Sequence, residues 1–74
     1  MTIRTLFSSY CLNFAKIMII NDATNRFTEL FPNFTNQEDE DFKTFELFAD
    51  EIVKEWYYER IYNRFVITID KEDF

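Results

Sequence analysis

Apolar residues recur at Ile3, Leu6, Phe7, Tyr10, Cys11 and Phe14, spaced as one stripe of an amphipathic helix. Thr2 precedes the stripe and suits an N-cap, because its hydroxyl can accept a hydrogen bond from a free N–H in the first turn. From Lys16 to Asn21 the chain becomes short, apolar and β-branched, and from Arg26 to Phe31 it alternates Phe27, Glu29 and Phe31 with Thr28 and Leu30, so both segments read as strands. The segment Asn21-Asp22-Ala23-Thr24-Asn25 between them supplies turn chemistry, with Asx side chains replacing glycine at any left-handed position. A β-hairpin follows from this pattern. Arg64 to Asp70 alternates again, with Phe65, Ile67 and Ile69 against Val66 and Thr68, and predicts a final strand.

Pro32 cannot donate to a sheet ladder and closes the second strand. Thr35-Asn36-Gln37-Glu38 then has the form of a capping box, and the acidic turn Glu38 to Asp41 suits the positive end of a helix dipole. Phe42, Phe45, Phe48, Ala49, Ile52, Val53, Trp56, Tyr57 and Ile61 keep helical spacing to about residue 62. An unbroken helix of that span would run roughly 38 Å, longer than the roughly 25 to 30 Å expected across so small a domain. The pattern therefore predicts a break near Ala49-Asp50 or an overhang. A strand over Ile52 to Tyr58 competes with the helix, because Trp-Tyr-Tyr has strong β-propensity. The fold class expected is α+β. A small antiparallel sheet, made of the hairpin and the C-terminal strand, packs on an N-terminal helix and a longer acidic second helix, all within a single domain over residues 1–74.

Composition narrows the chemistry. Apolar residues are 47% and aromatic residues 20% of the 74, enough to fill a core without disulfides or metals. With no histidine, no glycine and Cys11 as the single cysteine, the chain lacks the commonest general base, the phosphate-cradling loop, zinc sites and paired nucleophiles. No enzyme and no cofactor are expected. Cys11 sits on the apolar stripe and reads as a small core residue. The longest apolar run, Ile17 to Ile20, is far shorter than a membrane span, and Asn13 and Lys16 interrupt any signal-like segment after Arg4. The expected location is the cytoplasm, without membrane association, so the glycosylation-like Asn33-Phe34-Thr35 carries no meaning.

The net charge is −6 and is unevenly placed. Residues 38–59 hold Glu38, Asp39, Glu40, Asp41, Glu46, Asp50, Glu51, Glu55 and Glu59 against Lys43 and Lys54, nine acids and two bases, or −7. Such a field repels nucleic acid and attracts basic protein surfaces, so no direct nucleic-acid binding is expected. On a helix, Glu51, Glu55 and Glu59 would stack about 6 Å apart with like charges repelling at each step. Asp39 with Lys43 and Asp50 with Lys54 would form compensated pairs. The plain reading is a solvated face that keeps the chain soluble. The functional reading is a partner-binding surface whose carboxylates stand in for phosphates in a basic groove, with Tyr58 as its exposed aromatic anchor and Trp56 and Tyr57 in the core. The run Glu38 to Asp41 lacks the alternating ligands and central glycine of a calcium loop, so no metal is expected there.

Met1-Thr2-Ile3-Arg4-Thr5-Leu6, Tyr10-Cys11, Phe14 and the strand from Ile17 to Asp22 resemble small acidic proteins of phages and mobile elements in low-GC bacteria, as does the closing Phe65-Val66-Ile67-Thr68-Ile69. Within that group the anti-CRISPR proteins are similar in size, acidity and mixed α/β make-up. The resemblance implies an inhibitor in the cytoplasm of a bacterial host, binding a basic nucleic-acid-handling protein such as a Cas effector through residues 38–59. The alternative is a phage accessory or structural protein that self-associates, as a homodimer, through Trp56 and its aromatic neighbours.

Overall fold

The computed structural model describes residues 1–10, 16–31 and 37–72, the side chain of Tyr10 excepted. The elements in chain order are α1 (Ile3–Tyr10), β1 (Lys16–Asn21), β2 (Arg26–Leu30), α2 (Glu40–Phe48), β3 (Glu55–Glu59) and β4 (Arg64–Ile69). The fold is α+β. The four strands form one sheet in the order β2-β1-β4-β3. The outer pairs β1–β2 and β3–β4 are antiparallel, whereas the central pair β1–β4 is parallel, with Ile17 beside Phe65 and Ile19 beside Ile67. The expected hairpin and final strand are thus present, but a parallel pair joins them into a mixed sheet.

Directly paired residues share a face of a sheet, and the core follows from that rule. Ile17, Ile19, Leu30, Phe65, Ile67 and Ile69 lie on one face and pack with Ile3, Leu6, Phe45, Phe48 and Ala49 of the helical segments. Phe7, Val53 and Trp56 close the margin of this cluster, with the Phe7 and Phe45 rings 5.2 Å apart. Both helices therefore cover the same face. The opposite face carries Met18, Ile20, Phe27, Val66, Thr68 and Tyr57 by register, and no helix packs on it among the described residues.

Local chemistry explains the element ends. Thr2 Oγ1 accepts from the Thr5 N–H at 3.1 Å and caps α1 as expected. Asn25 and Asn63 adopt positive φ, 58° and 48°, in the two hairpin turns, the role glycine plays in other chains. The expected capping box is not what starts α2. Asp39 is its N-cap, accepting from the Asp41 N–H at 2.8 Å, while Thr35 and Asn36 lie outside the described residues, as do Cys11, Phe14 and Pro32. At the other end of the sheet the buried Asn21 amide accepts from the N–H groups of Ala23 and Lys71 and donates to the Lys71 carbonyl. One side chain there ties the first turn to the segment after β4.

The continuation of the second helix to residue 62 does not occur. α2 ends at Phe48, and the Glu51 N–H bonds the Phe48 carbonyl at 3.0 Å. The start of α1 then takes up the backbone that a longer helix would have used. Arg4 N–H donates to the Ala49 carbonyl at 2.7 Å, Ile3 N–H to Glu51 at 3.2 Å, and Val53 N–H to Met1 at 2.8 Å. Unsatisfied N–H groups at one helix end thus meet unsatisfied carbonyls at another, which stabilises both termini. The competing strand reading holds for residues 55–59, where Trp56 pairs with Ile67 and Tyr58 with Phe65.

Candidate functional site

The acidic residues of 38–59 fall into three groups. At the start of α2, Asp39 caps the helix, Asp41 Oδ2 accepts from the Phe31 N–H at 3.3 Å, and Lys43 lies 4.0 Å from Glu38 and 3.8 Å from Glu40. At the α1–α2 junction the Arg4 guanidinium reaches Glu46 and Asp50, each at 3.1 Å. Hydrogen bonds to these two carboxylates push Arg4 upward, and Arg4 holds the Asp50 carboxyl below its ordinary range. The third group lies around β3, where Glu51 bonds Lys71 at 3.4 Å and Glu59 bonds Arg64 at 2.7 Å.

The predicted stripe of Glu51, Glu55 and Glu59 is absent. Glu51 lies outside β3, and on a strand Glu55 and Glu59 stand about 13 Å apart instead of about 6 Å. The compensated pairs differ as well. Asp50 takes Arg4, and Lys54 takes Asp22 at 3.0 Å and Asp70 at 3.3 Å, contacts that raise the lysine pKa through those two hydrogen bonds. Bases from distant parts of the chain, Arg4, Arg64 and Lys71, therefore absorb much of the segment's charge. Of the acids proposed for binding, Glu55 alone has no ion pair, capping role or side-chain hydrogen bond among the described residues.

The β3–β4 hairpin presents a different surface. Strand alternation sends Trp56 and Tyr58 toward the helix-covered face and Tyr57 to the opposite one. Trp56 and Tyr58 flank Phe65, with ring centroids 5.9 and 5.1 Å away. Tyr57, expected in the core, is instead 50% exposed, while Tyr58 is 43% exposed, in keeping with its role as the exposed aromatic. The turn beyond them exposes 91% of Ile61 and 63% of Tyr62. Three contacts hold this turn. Tyr58 hydroxyl donates to Asn63 Oδ1, Asn63 N–H donates to the Arg60 carbonyl at 3.3 Å, and the Arg64 guanidinium stacks 4.7 Å from the Tyr62 ring centroid.

Exposed apolar residues scattered singly are ordinary, but Tyr57, Tyr58, Ile61 and Tyr62 share one braced hairpin. Sequence reasoning gave Tyr58 as exposed but not Tyr57, expected in the core, or Ile61, whose exposure depends on a turn that a helical reading does not contain. Asn63 beside Arg60 was the available signal, as an Asx residue at the fourth position of a tight turn. On the open sheet face, Phe27 borders a shallow groove of about 340 Å³ lined by Met18, Ile20, Asn25, Arg26 and Arg64. No helix among the described residues is long and apolar enough to cross a membrane. No protein-family model matches the chain, and neither a curated protein nor a solved structure matches it at a significant level.

Proposed function

We propose that this protein is a non-catalytic inhibitor that docks on a basic, nucleic-acid-handling host protein, of the kind a Cas effector exemplifies, and competes there with nucleic acid. The observation that carries the reading is the braced β3–β4 hairpin, which exposes Tyr57, Tyr58, Ile61 and Tyr62 next to the carboxylate of Glu55, which has no ion pair among the described residues. Aromatic and aliphatic groups held rigid before binding lose little entropy on docking, which is what interface hot spots require. The net charge of −6 supplies attraction to a basic target and repulsion from nucleic acid. In this form of the proposal the hairpin anchors the complex. The carboxylates at the start of α2 add long-range attraction and contribute little direct contact.

The test is capture on immobilised protein from a bacterial extract containing nucleic-acid-handling proteins, with and without added DNA or RNA. The expected result is a retained basic protein that nucleic acid displaces, that salt weakens steeply, and that the Tyr57→Ser, Ile61→Ser double variant fails to hold. Retention indifferent to nucleic acid and to the double variant would refute the reading. Where a guide-loaded Cas effector is the retained protein, loss of its DNA cleavage at equimolar inhibitor is the functional counterpart.

A further inference from the structure

Strand β3 pairs along one side with β4. Its five residues pair in full register with β4, from Glu55 beside Thr68 to Glu59 beside Arg64, and β3 is the last strand in the sheet order. Among the described residues no main-chain bond reaches its outer side. The backbone just before it is already used, since Ile52 bridges Thr2 and Val53 N–H donates to Met1. Both ends of β3 are fixed, by the Lys54 N–H on the Thr68 carbonyl at 2.8 Å and by the braced Arg60–Asn63 turn. The edge is therefore tied at both ends.

Edge strands are normally guarded by proline, lysine, a bulge or a covering element, because their free N–H and C=O groups accept any compatible strand. Glu-Trp-Tyr-Tyr-Glu has none of the first two, and only glutamates mark its ends. Those glutamates decide which strand fits. A second copy pairing antiparallel about Tyr57 would set Glu55 opposite Glu59 of that copy, and like charges directly opposite are destabilising. A strand with a lysine or arginine across from Glu55, and β-branched or aromatic residues beside Trp56, Tyr57 and Tyr58, gains both the ladder and the charge pair.

We infer that β3 is a strand-addition site for an extended basic segment of the partner protein. The inference rests on the basic-partner reading above and adds the mode of contact. Main-chain bonds to β3 supply a fixed register, and Glu55 selects the sign of the incoming charge. Glu59 contributes less, because Arg64 already holds it at 2.7 Å.

The experiment uses a capped peptide, Lys-Val-Thr-Val-Lys, and the same peptide methylated on alternate backbone nitrogens, each titrated into the labelled full-length protein. Amide hydrogen exchange and amide shifts are read across the chain. Expected is exchange slowed roughly tenfold at alternate positions of 55–59 near saturation, with the methylated peptide ineffective. Glu55→Gln should weaken binding about three- to fivefold without moving the unfolding midpoint. Binding of the methylated peptide equal to that of its parent would overturn strand addition while leaving the basic-partner reading intact. Absence of binding by either cationic peptide at low salt would overturn both. A wild-type dimer protected at 55–59 would replace the proposed occupant with a second copy. The Glu55→Lys variant gives an independent check, because it should create a dimer that the wild type does not form.

Discussion

Strands β3 and β4 lie side by side, are similarly rich in apolar residues, and end up in opposite environments. Phe65, Val66, Ile67, Thr68 and Ile69 of β4 are all buried, whereas no residue of β3 is, and Tyr57 and Tyr58 stand half in solvent. The difference comes from position. β4 has a strand on each side and helices over one face, while β3 has one neighbour among the described residues and packs Trp56 against the margin of the core. In a chain this small, every apolar residue that the sheet centre cannot accommodate remains at the margin. That margin is then available for binding.

Substitution should separate the two strands sharply. Ile67→Ala, at a fully buried site between β1 and β3, is expected to cost about 2 to 5 kcal/mol in urea unfolding, a large share of so small a domain's stability. A loss of under about 1 kcal/mol there would mean that the core is looser than the packing indicates. Asn21→Ala comes next. It removes a buried side chain that holds three backbone groups of Ala23 and Lys71, and should cost about 1 to 3 kcal/mol, read from the same unfolding curves. Ile61→Ser, at the exposed tip of the hairpin, should move stability by no more than about 0.5 kcal/mol while abolishing partner binding. A clear loss of stability there would mean that the tip serves the fold.

The smallest effect concerns charge at the α1–α2 junction. Asp50 has a depressed folded-state pKa through its hydrogen bond to Arg4, so its contribution is present above the ordinary carboxyl range near 3.8. It is lost as pH falls through the lowered folded value. Acid unfolding of Asp50→Asn should therefore show a shallower loss of stability below that range than the wild type. Since Arg4 and Asp50 are exposed, added salt should reduce the difference between them.

The same comparison shows what could be read from the chain alone. α1, the β1–β2 hairpin and β4 were legible because their signals are local: a 3.6-residue stripe, strict alternation, Asn at a left-handed position, and Thr2 as a cap. β3 was ambiguous because Phe48, Ile52 and Trp56 satisfy helical spacing as well as Glu-Trp-Tyr-Tyr-Glu satisfies a strand. What decides between them is long-range, the Arg4 N–H on the Ala49 carbonyl and the ladder to β4. The parallel pairing of β1 with β4 has no local signature at all. The helical stripe of Glu51, Glu55 and Glu59 fails for the same reason. Its spacing holds only on a helix, and the neutralising bases, Arg4, Arg64 and Lys71, come from outside the segment. Glu55 and Tyr58 stand exposed, and Tyr57, Ile61 and Tyr62 are exposed beside them.

Hydrogen exchange across the whole chain, free and bound to the captured basic protein, tests the central claim most directly. If recognition belongs to the margin of the sheet, slowing concentrates in residues 55–63 and the amides of α2 keep their free-state rates. Slowing confined to residues 3–10 or 40–48, with the β3–β4 hairpin exchanging as before, would contradict it.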